Sequence, residues 1–406
     1  MKNRKLALAG LLGAGLLGAG LLVAACGTSG SSSTAAAPGG QGFTPPKLDA
    51  LAQLGQPEGQ VNVLAWPGYA ENGSNDPAVD WVTGFEKETG CKVNVKAFGT
   101  SDEAVSLMKT GQYDVISASG DASLRLIASG DVEPVNTALV PNYADVFDFL
   151  KNRPWNSVDN VSYGVPHGWG ANLLTWRTDK VTPAPTSWSV MFDANSPYKG
   201  KISAYDSPIY IADAALYLQT HKPELGIKNP YALDDKQFQA AVDLLKQQRP
   251  MVGEYWSDYL KESQALKSGD AVVGTAWQVT VNLTKSEGAP VESVLPSEGA
   301  TGWSDTWMVG AKSPHKTCSY KWLNHIVSPK ANAQVAEYFG ESPSNPKACA
   351  ETKDKKHCET YHAGDAAYAS KIQYWTTPIT QCLDGRTDVK CKDYGEWTRA
   401  WTEIKG

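Results

Sequence analysis

The residue that could do chemistry most directly is Asp305, which stands in the stretch ATGWSDTWMVGA (residues 300–311) between Trp303 and Trp307. A buried acid needs a partner, so a carboxylate between two large aromatic side chains is unusual for a purely structural strand. A cation above a tryptophan face gains about 0.5–2 kcal/mol, and a charge-assisted hydrogen bond to a carboxylate adds about 1.5–3 kcal/mol. Several such contacts suit micromolar binding, about 8 kcal/mol. The pattern therefore predicts that Asp305 contacts a cationic ligand; the alternatives are a turn cap or an arginine pair.

Trp66 and Tyr69 are a second pair of candidate ligand-binding residues. They follow the segment VNVLA (residues 61–65), which has the alternating, apolar character of a strand. Ligands of α/β proteins bind beyond the carboxyl ends of strands, and binding sites are lined mainly by apolar and aromatic side chains. We therefore expect both side chains to line a cleft, with packing in the core as the alternative.

The elements that must position these residues are predicted from periodicity and capping signals. A helix is predicted to begin at Asp76 and Pro77 and to end at Gly90. A second strand, CKVNVKAF, a second helix capped by Ser101 and a third, buried strand, YDVISAS, follow it. This order is typical of a mostly parallel sheet flanked by helices, so the sequence predicts an α/β fold.

The composition argues against several classes of function. The chain has 406 residues, a formal net charge of −6, and 14 Trp and 17 Tyr against 8 Phe. An acidic chain lacks the basic patches that neutralise nucleic-acid phosphates, but it is compatible with attracting small cations. Beyond residue 26 we find no metalloprotease, nucleophile-elbow, phosphate-loop or dinucleotide motif, and no paired carboxylates spaced for acid–base catalysis. We therefore expect no enzymatic activity, no cofactor and no metal ion.

The N-terminal segment predicts export. A basic head precedes an uncharged apolar run, residues 6–25, and small residues then lead to Cys26. This order resembles a bacterial lipoprotein signal, so residues 1–25 are predicted to be removed and Cys26 to carry lipid. A transmembrane anchor is the alternative, because the run is about long enough to span a bilayer. Residues 26–60 are predicted to be a flexible tether, which would place the folded part outside the cytoplasmic membrane or in the periplasm.

The remaining cysteines agree with an oxidising compartment. They are Cys91, Cys318, Cys349, Cys358, Cys382 and Cys391. Six cysteines can pair in many ways, but Cys349 with Cys358 and Cys382 with Cys391 are close in sequence, which leaves Cys91 with Cys318. A metal site is the alternative, although no spacing typical of zinc ligands supports it.

Eight segments stand in an order that is characteristic of one family. They are AWPGY, GFEKETGCKVNV, GQYDVISAS, YGVPHGWGA, PYKGKISAYDSP, KSGDAVVGTAWQ, PSEGATGWSDTWMV and SPKANAQVAEYFGESPSN. Together they resemble the spermidine/putrescine-binding proteins of bacterial ABC importers, within the wider class of extracellular solute-binding proteins. The resemblance covers about residues 61–345. It implies a two-lobed periplasmic-binding-protein-like fold (type II), in which two hinged lobes, each a mostly parallel sheet flanked by helices, close over a ligand.

The resemblance also implies site residues. In the polyamine binders an acid at the position of Asp305 pairs with an ammonium group, and aromatic faces line the methylene chain. The positions that match the family's aromatic lining are Trp66, Tyr69, Trp277 and Trp303, with Trp256 and Trp375 as further candidates. The implied partners are therefore a small cationic organic ligand and, for delivery, an ABC permease with its ATPase.

The chain departs from the family pattern at several positions. Pro67 and Gly68 stand between the first two aromatics, where polyamine binders often have a hydroxyl or an acid. Tyr210 aligns with a family glutamate, so one ammonium partner is expected to be missing. Asp121 and Glu341 fall near positions where the spermidine-type protein has tyrosine, and either could supply an acid instead. The alternatives are that Asp121 caps a helix and that Glu341 faces solvent.

The sequence thus predicts a monomeric, lipid-anchored receptor that captures a polyamine-like cation and delivers it to a permease. Alternative ligands are a sugar, a quaternary amine or an amino acid derivative, and a secreted hydrolase is the alternative activity. Lobe 1 is predicted to comprise residues 61–166 and 279–345. Lobe 2 is predicted to comprise residues 167–278 and 346–406.

Overall fold

The computed structural model of the protein describes residues 43–406. The predicted signal segment 1–25, Cys26 and the first part of the predicted tether lie outside the described residues. Residues 43–59 contain no helix or strand. Within residues 43–406, no helix combines the length and the apolar character needed to cross a membrane.

The regular elements are numbered in chain order. The strands are β1 (Gln60–Ala65), β2 (Lys92–Ala97), β3 (Val115–Ala118), β4 (Val132–Glu133), β5 (Ser157–Val158), β6 (Val161–Ser162), β7 (Gly164–Ala171), β8 (Leu173–Arg177), β9 (Ile202–Tyr205), β10 (Val252–Trp256), β11 (Val273–Ala276), β12 (Val291–Val294), β13 (Ala300–Gly310), β14 (Ser342–Pro343) and β15 (Ile372–Tyr374). The α-helices are α1 (Val82–Thr89), α2 (Ser101–Met108), α3 (Gly120–Ser129), α4 (Ser189–Phe192), α5 (Ile211–His221), α6 (Asp235–Gln248), α7 (Tyr259–Ser268), α8 (Gln278–Ser286), α9 (Lys316–Ile326), α10 (Pro329–Phe339), α11 (Ala348–Glu351), α12 (His357–Thr360), α13 (Ala366–Ala369) and α14 (Tyr394–Lys405). Short 3-10 helices lie at Thr137–Leu139, Pro141–Asp145, Asp148–Leu150, Pro208–Tyr210, Pro223–Leu225 and Arg249–Met251.

Two mixed sheets organise the fold. The first has the strand order β14-β7-β13-β3-β1-β2, and β4 and β15 also pair with β13. Strand β1 runs parallel to β2 and β3, whereas β13 runs antiparallel to β3 and β7. The second sheet has the order β10-β9-β11-β8-β12, in which β9 runs parallel to both of its neighbours. Helices pack on both sheets, so the predicted α/β class is confirmed.

The chain crosses between the sheets at Asn172, which separates β7 from β8. The Asn172 amide donates to the Thr301 hydroxyl at 2.6 Å and accepts the indole N–H of Trp277 at 3.0 Å. These two hydrogen bonds join the crossing after β7 to Thr301 and Trp277, which lie near the points where the chain later crosses between the sheets. By sheet membership β12 belongs to the second sheet and β15 to the first. The lobe boundaries at residues 166, 278 and 345 stay a prediction.

Two predicted helix starts are wrong. Helix α1 begins at Val82, because the Asp80 carboxylate accepts the backbone N–H groups of Val82 and Thr83. Asp76 instead accepts the N–H of Ala78 within a tight turn. Helix α2 is capped by Thr100, whose hydroxyl accepts the N–H of Glu103 at 3.2 Å, and not by Ser101. Oxygen-bearing side chains are frequent in both segments, and the sequence pattern did not single out the ones that satisfy the free amides.

Three disulfides join Cys91 to Cys318, Cys349 to Cys358, and Cys382 to Cys391. These are the same pairs that the sequence predicts. The first bridge spans 227 residues of chain and ties the loop after α1 to α9. The other two each close a short loop in the C-terminal segment. Among residues 43–406 no group of histidine, cysteine and acidic side chains is arranged to hold a metal ion.

Candidate functional site

A partly open cavity lies between residues that follow strands of the two sheets, and its empty space, including the part open to solvent, is about 350 Å³. Its lining is dominated by aromatic rings and contains one carboxylate. The lining residues are Trp66, Pro67, Tyr69, Ser119, Tyr259, Trp277, Trp303, Asp305, Phe339 and Trp375. Such an apolar concavity with a few convergent polar groups is the usual form of a small-molecule site.

The register of the first sheet positions the polar groups. Strand β13 pairs with β3 so that Thr306 lies opposite Ala118, which brings Asp305 beside Ser119, the residue that follows β3. The Ser119 hydroxyl donates to Asp305 Oδ1 at 2.5 Å. Tyr69, which follows β1, donates its hydroxyl to Asp305 Oδ2 at 2.8 Å. Two strand ends therefore hold one carboxylate at the cavity wall.

Asp305 has hydroxyl partners but no cationic one. The ion pairs in the part of the chain that the structure describes do not include Asp305. Its side chain is buried, and burial raises its pKa to about 7, although hydrogen bonds from Ser119 and Tyr69 oppose the rise. Burial makes ionisation of this carboxylate unfavourable, so a ligand that supplies a positive charge beside it stabilises the ionised form.

A β-bulge lies directly beside Asp305. Asp305 pairs with Gly168 of β7, whereas the next residue, Thr306, pairs with Pro166, so His167 is the extra residue. Gly168 is required here, because a Cβ atom at this position would lie 2.3 Å from the Glu341 carboxyl group. The close approach brings Glu341 against the inner side of the cavity wall.

Glu341 reaches the network through Tyr69. The Tyr69 hydroxyl oxygen lies 3.1 Å from Glu341 Oε2 as well as 2.8 Å from Asp305 Oδ2. A tyrosine hydroxyl carries one hydrogen, so one of the two carboxyl groups must be protonated to donate in return. Burial, and then the Asp305 charge, raise the pKa of Glu341 well above its ordinary value. The proton therefore resides on Glu341, which donates to Tyr69, while Tyr69 donates to Asp305.

His167 adds no charge to this network. Its Nε2 atom lies 3.5 Å from Glu341 Oε1, and its ring packs edge-on against Tyr69 at 4.3 Å between centroids. Burial lowers the pKa of His167 to about 3, so the ring is neutral at physiological pH. Asp305 is therefore the group of the lining whose charge changes near neutrality.

The aromatic walls are held by the fold around them. Trp66 packs on Phe98 at 4.6 Å and meets Trp277 edge-on at 6.4 Å between centroids. Trp375 donates its backbone N–H to the Gly302 carbonyl at 2.7 Å. Gly120 allows this segment to approach, since a Cβ there would lie 1.7 Å from the Trp375 carbonyl oxygen. These contacts fix the ring faces before any ligand binds.

Six of the ten candidate ligand-binding residues line this cavity, and four lie outside its lining. Trp256 packs edge-on behind Trp277 at 5.0 Å, and Tyr210 hydrogen-bonds to Gln248 within the second sheet's helical layer. Asp121 lies in the first turn of α3 and accepts the Ser101 hydroxyl at 2.8 Å, and Glu341 lies behind Tyr69. The candidates in the lining are Trp66, Tyr69, Trp277, Trp303, Asp305 and Trp375. A role for the other four in binding stays a prediction.

The alternatives given for two acids do not match their surroundings. Asp121 makes no side-chain cap for α3, and its pKa is raised to about 6, mainly by burial and despite the Ser101 hydrogen bond. Glu341 is 1% exposed and does not face solvent.

Sequence reasoning missed four lining residues. Pro67 lies between the candidates Trp66 and Tyr69. Ser119 ends the segment YDVISAS, and its position at the end of a strand was a usable signal. Tyr259 begins α7 in the second lobe and Phe339 ends α10, and neither position carries a local signal of ligand contact. Both reach the cavity only because distant elements pack together, so a single sequence does not reveal them.

Comparisons with known proteins agree with this geometry. A family model described as bacterial extracellular solute-binding protein matches residues 80–360. The spermidine/putrescine-binding periplasmic protein of Escherichia coli (strain K12) is 26% identical over 265 residues, which cover 64% of this chain and 72% of the relative.

Solved structures show the same fold. The spermidine/putrescine ABC transporter substrate-binding protein of Streptococcus pneumoniae superposes with a TM-score of 0.65 at 17% identity, covering 85% of this chain and 97% of that one. The binding protein MotA of A. tumefaciens B6, in complex with glucopine, superposes with a TM-score of 0.61 at 18% identity, covering 86% and 100%. The predicted two-lobed fold is confirmed. Since the family model spans more than half of the chain, the protein belongs to the bacterial extracellular solute-binding protein family.

Proposed function

We propose that this protein is the receptor of an ABC importer and that it captures a small organic cation in the cavity around Asp305. The observation that carries the proposal is a buried carboxylate that accepts two hydroxyl hydrogen bonds within a ring of aromatic faces. An ammonium group of the ligand would complete the charge balance of Asp305. The polyamine-binding names of the relatives support this ligand class without establishing it for this chain.

The lining also supports a cation over a neutral solute. Four lining side chains carry oxygen atoms, those of Tyr69, Ser119, Tyr259 and Asp305, and the hydroxyl groups of Tyr69 and Ser119 already donate to Asp305. A sugar needs several polar partners of its own, whereas a cation gains from the ring faces that make up the rest of the wall. The aromatic surface therefore favours an ammonium group with an apolar body.

Walls from both sheets support a mechanism of capture by closure. Asp305 lies in a strand of the first sheet and Trp66 follows one, whereas Tyr259 and Trp277 follow strands of the second sheet. A ligand that contacts all four stabilises the closed arrangement of the lobes. The closed form then presents a surface that a permease can distinguish from the empty receptor.

Export and anchoring complete the proposal. We place the protein, as a monomer, on the outer face of the cytoplasmic membrane or in the periplasm, held by lipid on Cys26. Mass spectrometry of the N-terminal peptide of the purified protein tests the anchor. A peptide that starts at Cys26 with added acyl mass supports it, and an intact residue 1–25 segment contradicts it.

Isothermal titration calorimetry of the full-length chain in detergent tests the binding function. The ligands are putrescine, spermidine, choline, 4-aminobutyrate and maltose, and the recovered ligand is analysed for chemical change. Asp305→Asn is the test variant. Glu262→Gln is the matched control, because Glu262 is also a buried carboxyl group, accepts the Ser203 hydroxyl and does not line the cavity.

We expect an organic cation to bind, to be recovered unchanged, and to lose affinity at least tenfold in Asp305→Asn but not in Glu262→Gln. Binding of maltose alone would refute the cation proposal and leave only the family assignment. A chemically altered ligand would instead support the hydrolase alternative.

A further inference from the structure

We propose that the cavity selects an organic monocation, with one ammonium group and a compact apolar body, over a dication of the same size. This inference rests on the proposed function and narrows it to one ligand class. It follows from the number and placement of the acids around the cavity, since each buried ammonium group needs its own counter-charge.

Asp305 is the sole carboxylate among the lining residues. Glu341 stands behind Tyr69, and the single hydrogen of the Tyr69 hydroxyl requires that Glu341 keep its own proton. Asp121 is buried below the wall, where it accepts the Ser101 hydroxyl. The lining therefore presents one carboxylate to a ligand, and Asp121, although its charge acts on Asp305, lies outside the lining.

The rest of the wall offers an ammonium group no second carboxylate. Phe339 meets Trp303 edge-on at 5.7 Å between centroids, and Trp375 stacks on Tyr205 at 5.5 Å with an angle of 11° between the rings. Ring faces attract a cation less strongly than a carboxylate does, and they also accommodate methylene and methyl groups. A ligand whose far end is apolar buries that end without losing the hydration of a second charge.

Acids do occur outside the cavity, beyond Pro67 and Tyr259. One adjoining surface pocket contains Glu103 and Asp258, and another contains Glu337. Glu103 accepts the N–H of Gly99 at 2.8 Å, and Asp258 caps α7 by accepting the N–H of Leu260 at 2.9 Å. Glu337 accepts the N–H of Asp354 at 2.7 Å, so all three acids already have backbone partners, and none of them belongs to the lining around Asp305. They do not neutralise the far end of a short diamine held at Asp305.

A matched pair of ligands tests the inference in the unmodified full-length chain. Pentylamine and putrescine have the same number of non-hydrogen atoms, but the first carries one positive charge and the second carries two. Calorimetry at pH 8 in 20 mM and 150 mM salt compares their affinities. Spermidine with the Glu103→Gln variant measures whether a longer ligand uses the outer acids.

We expect pentylamine to bind at least tenfold more tightly than putrescine at both salt concentrations, and Glu103→Gln to change spermidine affinity less than threefold. Putrescine binding as tight as or tighter than that of pentylamine, with loss in Asp305→Asn, would overturn the monocation inference while leaving the cation receptor intact. A large loss of spermidine affinity in Glu103→Gln would also overturn it. Failure of every amine to bind would refute the proposed function together with the inference.

Discussion

Ligand affinity should rise with pH until Asp305 is ionised and should then stay constant. Burial raises the pKa of Asp305 to about 7 in the empty cavity, and the hydrogen bonds from Ser119 and Tyr69 only partly oppose this. A bound ammonium group stabilises the ionised carboxylate and lowers that pKa. Cation binding and proton release at Asp305 are therefore coupled.

The size of the effect follows from the titration. At pH 6 about one tenth of the empty receptor has an ionised Asp305, and at pH 8 about nine tenths has, so affinity should be about tenfold weaker at pH 6. This corresponds to about 1.4 kcal/mol. About 0.9 proton should leave per ligand bound at pH 6, and about 0.1 at pH 8.

Calorimetry in pairs of buffers with different ionisation enthalpies, phosphate and MES at pH 6 and phosphate and HEPES at pH 8, measures the released protons directly. The Asp305→Asn variant is the control and should show no release between pH 6 and pH 8. Affinity that is the same at pH 6 and pH 8, or proton release that persists in Asp305→Asn, would refute the assignment of Asp305 as the ionising anchor.

Three further predictions follow from the same structure. Glu341→Gln should keep ligand affinity within about threefold, because an amide can still donate to Tyr69. Glu341→Met cannot donate and should lose about 1 kcal/mol of binding free energy. Calorimetry that gives the two variants equal ligand affinities would contradict the hydrogen-bond role of Glu341. The free energy of unfolding of the receptor without ligand should fall by at least about 1.4 kcal/mol per pH unit between pH 7.5 and pH 8.5, because burial raises the pKa of Glu262 to about 8 and that of Glu341 well above its ordinary value. In this range the folded state binds more of these protons than the unfolded chain, and the buried histidines, whose pKa values are lowered by folding, are almost wholly neutral in both states because the ordinary histidine pKa is about 6.5. Urea unfolding at each pH measures the slope, and a rise in stability with pH would contradict it. Replacing Cys91 and Cys318 together with alanine should cost about 2–5 kcal/mol, more than removing either short-range bridge, because their bridge closes a loop of 227 residues; urea unfolding of the three double variants checks the order.

The local pattern of the sequence was sufficient for much of the first sheet. Strand β1 and the residues after it, Trp66 and Tyr69, follow from an apolar segment and the rule that ligands lie beyond strand ends. The α/β class follows from alternating strand and helix patterns in a single stretch of chain. The helix starts failed, because several neighbouring oxygen-bearing side chains can cap the same amides and only the backbone path decides among them.

In the candidate site, too, some features follow from the local sequence and others only from the tertiary structure. Asp305 was identifiable from its sequence because an acid between tryptophans requires a partner wherever it is buried. Its charge state was not, since that depends on contacts with Tyr69 and Glu341. Asp305 lies 236 residues from Tyr69 along the chain, and Glu341 lies 272 residues from Tyr69. Chain-distant contacts of this kind leave no periodic or compositional trace in a single sequence.

The sequence by itself therefore determined which chemistry the protein has available: three candidate acids, many amphipathic rings and an α/β scaffold that presents strand ends. The tertiary structure alone decided which of these acids lies in the cavity lining. The bulge at His167 and the absent side chain of Gly168 bring Glu341 behind Tyr69. There Glu341 keeps its proton and is neutral, because the one hydrogen of the Tyr69 hydroxyl cannot satisfy two carboxylates. Asp305 is then the single charged group in the cavity lining.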